Sequence, residues 1–187
     1  LYSIVMAHLS LRNRIPHEEF DYQTLLDALP EYSRPRARIT ALLRDAVIVR
    51  VKKGLYVFGE AERRNPYCRE LLANLLYGPS YISLEYALAR HGLIPERVET
   101  VTSVTCGRSR AFDTPVGRFT YRRIPLGAFP IGMDLAETGD GRSFFLATPE
   151  KALADKLVEE RGAAVVSQKE LLIHLTENLR IEESVLR

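Results

Sequence analysis

Cysteine is scarce in this 187-residue chain. Its two cysteines, Cys68 and Cys106, are far apart and neither belongs to a Cys-x-x-Cys pair, which leaves no disulfide framework and reads as free thiols of a reducing compartment. Long apolar runs are also missing. None approaches the roughly 20 residues needed to cross a bilayer, and the first residues carry no signal-peptide pattern, so a cytoplasmic protein without a membrane partner is expected. Catalytic signatures are equally thin. His17-Glu18-Glu19 lacks the second histidine of a zinc protease, and no phosphate-cradling loop or complete Gly-x-Gly-x-x-Gly is present. Gly107-Arg108-Ser109-Arg110-Ala111 sits between β runs, whereas a nucleophile elbow needs a strand-to-helix turn. Glu150 and Lys151 are adjacent and lack the spacing of a nuclease Glu-x-Lys pair. The expectation is a protein that is not an enzyme and uses no cofactor or metal.

What is present is positive charge, unevenly placed. The net charge is only +2, but residues 1–60 hold nine Lys/Arg against seven Asp/Glu, while residues 61–187 hold seventeen of each. Between positions 34 and 53, Arg34, Arg36, Arg38, Arg44, Arg50, Lys52 and Lys53 face only Asp45, a local patch of about +6.

The local patterns predict an α+β chain with two domains, residues 1–62 and 63–187. In the first, Leu1, Val5 and Leu9 lie on one face of a helix through Arg12. Asp21 can cap a short helix with the apolar stripe Tyr22, Leu25, Leu26 and Leu29, ending at Pro30. A third helix spans about Arg34 to Ala46, with Ser33 as cap, Pro35 in its first turn and Ile39, Leu42, Leu43 and Ala46 facing the core. Two β runs, VIVRV and LYVFG, follow through Lys52, Lys53 and Gly54. This order predicts a winged helix-turn-helix. In the second domain, helices are expected from Asn65 to Gly78, Ser83 to Arg90, Thr148 to Glu160 and Ser167 to Leu179. They flank antiparallel strands drawn from TVTSVTC, RAFD, RFTYRRI and SFFLA.

If the third helix buries its apolar stripe, Ala37 and Ala41 stand at the centre of its exposed face with arginines at the margins, a shape that can enter a major groove. The DNA-contacting set expected from this geometry is Arg34, Arg36, Arg38, Thr40, Arg44, Arg50, Lys52 and Lys53. Gly54 supplies the positive φ of the hairpin tip. Plain solvation of the helix face, and a protein-binding role, are the competing readings. A second basic set, Arg108, Arg110, Arg118, Arg122 and Arg123, lies on the β segments and is opposed only by Asp113. It suits nucleic acid, an acidic partner or solvent, and an enzyme acting on nucleic acid there is the least favoured alternative.

A winged helix ending in KKGLYVF, then YISLE, the GLIPE turn, the TSVT strand, F-x-TP-x-G and PEKAL-x-D occur in that order. From about Phe20 to Leu157 this pattern resembles the AbiEi family of antitoxins from type IV bacterial toxin–antitoxin systems and their transcriptional-regulator relatives. The resemblance implies that the first domain binds double-stranded DNA at operator repeats in its own promoter and represses the operon. It also implies that the second domain counteracts a nucleotidyltransferase-type toxin without a stable complex. A homodimer is expected, because a winged helix reading a repeat gains from a second copy. Tyr81, Ser83, Glu85, Thr114, Pro115 and Gly117 match the family pattern and are read as fold determinants, with Ser83 as a helix cap and Pro115 and Gly117 as turn residues. Cys68, beside Leu71, Leu72 and Leu75, is read as a core thiol.

Overall fold

Asp21 sets the first junction of the chain. In the computed structural model, which describes residues 11–161 and 167–181, its carboxylate accepts the Thr24 N–H at 2.8 Å and caps the helix α2 (Tyr22–Asp27). The expected face of Leu1, Val5 and Leu9 lies outside the described residues. The chain divides into two compact units, Leu1–Leu76 with Thr114–Val116, and Tyr77–Asp113 with Gly117–Arg187. Both combine helices with sheet, so the mixed α+β class holds.

Unit 1 consists of a helical turn at residues 11–14 (α1), β1 (Glu19–Asp21), α2, α3 (Pro35–Arg44), β2 (Ile48–Lys52), β3 (Leu55–Phe58) and α4 (Arg69–Leu76). Its three strands pair antiparallel in the order β1-β3-β2. As the central strand, β3 is buried at every residue. The core joins Leu25, Ile39, Leu42, Ile48 and Phe58 with Leu11, Ile15 and Phe20, and full burial of each such side chain contributes about 1.5–3 kcal/mol.

Several local expectations shift. Ser33 is not the cap of α3: Arg34 occupies that position without a side-chain bond, and Pro35 starts the helix. Ala46 is not a core residue either. The helix ends at Arg44, and Ala46 turns into the left-handed region at φ 54, exposed, to send the chain back into β2. That corner needs Gly59, because a Cβ there would lie 1.8 Å from the Ala46 carbonyl oxygen.

The expected boundary at 62/63 falls inside unit 1, which runs on to Leu76. Two buried glutamates of the β1 strand region tie the connecting segment down. Glu18 Oε1 accepts the N–H groups of Arg64 (3.2 Å) and Asn65 (3.0 Å), and Glu19 Oε1 accepts that of Cys68 (2.5 Å). Glu18 also pairs at 2.5 Å with Arg12, whose guanidinium lies 4.4 Å over the Phe58 ring. Segment 64–68 is therefore held as irregular chain, and α4 starts only at Arg69.

Unit 2 is built on a six-stranded sheet in the order β6-β7-β5-β4-β9-β8. These strands are β4 (Ser80–Ile82), β5 (Val101–Thr105), β6 (Arg110–Thr114), β7 (Gly117–Arg123), β8 (Met133–Glu137) and β9 (Ser143–Ala147). The expectation of antiparallel strands is corrected in part: β5 pairs parallel with β7, and β4 pairs parallel with β9. Both parallel pairs join strands that are not consecutive in the chain, β5 with β7 and β4 with β9, so that the intervening chain crosses over before pairing, whereas the consecutive pairs β4–β5 and β8–β9 are antiparallel. Helix α5 (Leu84–Arg90) lies between β4 and β5, and β9 is followed by α6 (Pro149–Arg161) and α7 (Gln168–Ile173), whose Ser167–Glu170 capping box is fully formed. Among the described residues, no helix is long and apolar enough to cross a membrane.

Candidate nucleic-acid interface

Helix α3 buries Ile39 and Leu42 and exposes Arg34, Arg36, Ala37, Thr40 and Arg44. Its basic residues then divide by what they touch. Arg44 is spent locally, its Nε donating to Asp45 Oδ1 at 2.9 Å. Arg38 is half-buried, with its guanidinium 5.4 Å from the Tyr32 ring centre. The hydroxyl of Thr40 donates back to the Arg36 carbonyl at 3.0 Å. Lys52 is diverted from the hairpin tip: its ammonium donates to the Leu76 carbonyl at 2.8 Å, at the negative end of α4.

Arg36, Arg50 and Lys53 are gathered instead. With Tyr22, Ile39 and Tyr56 they line a mainly apolar cavity of about 600 Å³ between the first turns of α3 and the hairpin. Local structure explains the gathering. Arg36 and Ile39 are three residues apart on one side of α3. Arg50 and Tyr56 are direct partners across the β2–β3 ladder, just before the bulge that falls between Arg50 and Lys52. The tip is a two-residue turn, Lys53-Gly54, with Gly54 at φ 88 as expected, and the Tyr22 N–H donates to the Gly54 carbonyl at 3.0 Å. Among the described residues, none of these three cationic side chains forms an ion pair or hydrogen bond. The two tyrosines were not part of the expected site. In the sequence Tyr22 reads as part of the apolar stripe of a short helix and Tyr56 as part of the LYVFG β run, with nothing to mark either as lining a site.

The second basic set does not form one surface. Arg122 donates to Glu159 at 2.6 Å, on the side of the sheet that carries α6, while its neighbour Arg123 points to the other side. Arg118 lies 3.7 Å from Asp113, Arg110 sits 5.6 Å from the Tyr77 ring centre, and Arg108 lies in the irregular segment just before β6.

The motif residues of unit 2 converge inside it. The hydroxyls of Tyr81 (2.9 Å) and Ser83 (2.7 Å) both donate to Asp155 Oδ2, while Lys151 pairs with Oδ1 at 3.0 Å and donates to the Ala128 carbonyl. Ser83 thus occupies the N-cap position of α5 but spends its hydroxyl on Asp155 rather than on the helix. Burial, followed by the Asp155 carboxylate, pushes the Tyr81 phenol far above its ordinary value. Beside this group Lys156 pairs with Glu85 and, at 2.9 Å, with Glu160. Burial opposes its charge, but these carboxylates outweigh that and raise it. Cys68 in unit 1 is half-buried, and burial pushes its thiol up to about 11, which suits an inert thiol. No group of three metal-ligating side chains occurs among the described residues.

No protein-family model matches the chain, and no curated protein matches it.

Proposed function

We propose that unit 1 is a winged helix-turn-helix that binds double-stranded DNA, and that the chain is an antitoxin-type autorepressor. The element order α1-β1-α2-α3-β2-β3, with β1 beside β3, supports the fold reading, with α3 as the helix that enters the major groove. The observation that carries the DNA reading is the clustering of Arg36, Arg50 and Lys53, from helix, strand and turn, around one cleft without an internal counter-charge. Cations left without protein carboxylates are the groups that phosphates neutralise. Arg34, exposed at the N-terminal edge of α3, extends the set.

The YISLE and PEKAL-x-D pattern supports the antitoxin part, since Tyr81, Ser83, Lys151 and Asp155 meet in one buried network and Glu85 pairs with Lys156 beside it. On this reading the chain represses its own operon and offsets a nucleotidyltransferase-type toxin encoded beside it. The test is a mobility shift on DNA from its own upstream region at rising salt. Binding should weaken steeply with salt, and Arg36→Ala or Arg50→Ala should each lower the logarithmic salt slope by about 1. Absence of a shift at low salt, or unchanged slopes in both variants, overturns the DNA reading. Co-expression with the adjacent gene tests the antitoxin part: toxicity of that gene relieved by this chain supports it, and persistent toxicity removes it.

A further inference from the structure

We propose that the cleft between α3 and the hairpin is also a binding site for a small aromatic anion, a ring carrying a carboxylate or a phosphate. Its volume of about 600 Å³ is of the size that takes small ligands, which is roughly 300–1,000 Å³. The lining pairs two chemistries. Tyr22, half-buried, offers an aromatic surface, the edges of the buried Ile39 and Tyr56 complete an apolar wall, and Arg36, Arg50 and Lys53 offer three positive groups. Like charges gathered over apolar surface repel one another, and an anion placed among them removes that cost.

The site is prepared in advance. Tyr56 is buried and its ring stacks against Phe20, with centroids 6.4 Å apart and planes 18° from parallel, so its orientation is held by the core. The bond from Tyr22 to Gly54 fixes the opposite wall to the hairpin tip. Two guanidinium groups suit planar, bidentate recognition of a carboxylate or phosphate.

A duplex backbone supplies only half of this match. Phosphodiesters can reach the cations, but paired bases are stacked inside the helix and cannot present a ring to the tyrosines unless they are flipped out. The ring therefore belongs to a free molecule. Because Arg36, Arg50 and Lys53 are shared with the DNA-contacting set, occupancy of the cleft withdraws them from phosphates and releases DNA. This regulatory consequence rests on the DNA reading, whereas binding of the anion does not.

Calorimetric titration of the full chain tests the site with two probes, anthranilate and adenosine 5′-monophosphate. Benzamide, adenosine and inorganic phosphate serve as controls lacking either charge or ring. At least one probe should bind one-to-one, and the matching controls should bind about ten-fold more weakly or worse. Arg50→Ala and Tyr22→Leu should each weaken the probe by about ten-fold while the thermal unfolding temperature shows that the variant is folded. Ala37→Glu, on the exposed face of α3 outside the cleft, should keep probe affinity and abolish the DNA shift. If neither probe binds, or binding is unchanged in both Arg50→Ala and Tyr22→Leu, the site is refuted. If the probe binds with these dependences and DNA does not shift, the DNA reading fails and the site stands. If DNA shifts but is not released by a bound probe, the regulatory consequence falls.

Discussion

The ammonium of Lys52 and the carbonyl of Leu76, 2.8 Å apart, join the β2–β3 hairpin to the last turn of α4. One cation of the basic hairpin is thereby an internal tie, and its neighbours are not.

This separates two substitutions that the charge pattern alone treats as equal. Lys52→Ala should leave DNA affinity within about three-fold of the parent and cost roughly 1 kcal/mol of stability. Arg50→Ala should do the reverse, weakening DNA binding about ten-fold at moderate salt with little change in unfolding. Titrations of DNA and urea on both variants give the comparison, and equal losses of affinity would contradict the assignment of Lys52.

The buried carboxylate of Asp155 carries a second prediction. Asp155→Leu leaves Lys151 without its carboxylate counter-charge and strands the hydroxyls of Tyr81 and Ser83, and should destabilise unit 2 by about 3–5 kcal/mol. Tyr81→Phe, which loses one hydrogen bond, should cost about 1 kcal/mol. Adding Lys151→Met to Asp155→Leu should recover part of the loss, because the unpaired buried charge is then gone. Urea denaturation measures all three.

A third concerns pH. Glu160 is opposed by burial but held below its ordinary 4.5 by Lys156 and His174, so its contribution is present above that value and disappears as pH falls through the lower folded one. Lys156 is raised above its ordinary 10.5, so its contribution is present below that value and disappears as pH rises through the folded one. The contribution of these two groups to thermal stability should therefore be full between about pH 5 and 10 and be lost at both ends. Lys156→Met should reduce both slopes and cost about 1 kcal/mol at neutral pH, as seen in melting curves across the range.

Gly59→Ala is the backbone test. The obstacle to a Cβ is the Ala46 carbonyl oxygen at 1.8 Å, which no side-chain change at position 46 can move aside. Folding of unit 1 should be lost or reduced by more than about 2 kcal/mol. Gly54→Ala, with open space around it but φ at 88, should cost only about 1 kcal/mol.

Features set by neighbours in the chain were legible. The Asp21 cap, the Ser167–Glu170 box, the SFFLA strand and the positive φ of Gly54 all depend on spacings of a few residues, and each appears where the pattern puts it. Strands β1 and β4, three residues each, were not legible, since EFD and SYI carry too few positions for alternation to register and exist through pairing with distant strands. MDLAE of β8 was hidden by its charges at an exposed edge. For the candidate site, the cluster of cations was visible as composition, but its sorting was not. That sorting depends on a carbonyl 24 residues from Lys52, on a bulge after Arg50, and on Tyr22 and Tyr56, which lie outside the run of basic residues and carry no charge to mark them. The roles of Glu18 and Glu19 were equally hidden, because their partners are backbone N–H groups 46 to 49 residues away.

The position of β4 dictates an order of assembly. Its Ser80–Ile82 edge is flanked by β5 on one side and by β9 on the other, and β9 is not synthesised until residue 147. While a ribosome makes the intervening stretch, one side of β4 has nothing to pair with, and Tyr81 and Ser83 wait for a carboxylate that arrives later still, at Asp155. A nascent chain halted before that point should present this apolar strand to chaperones, and release past α6 should withdraw it.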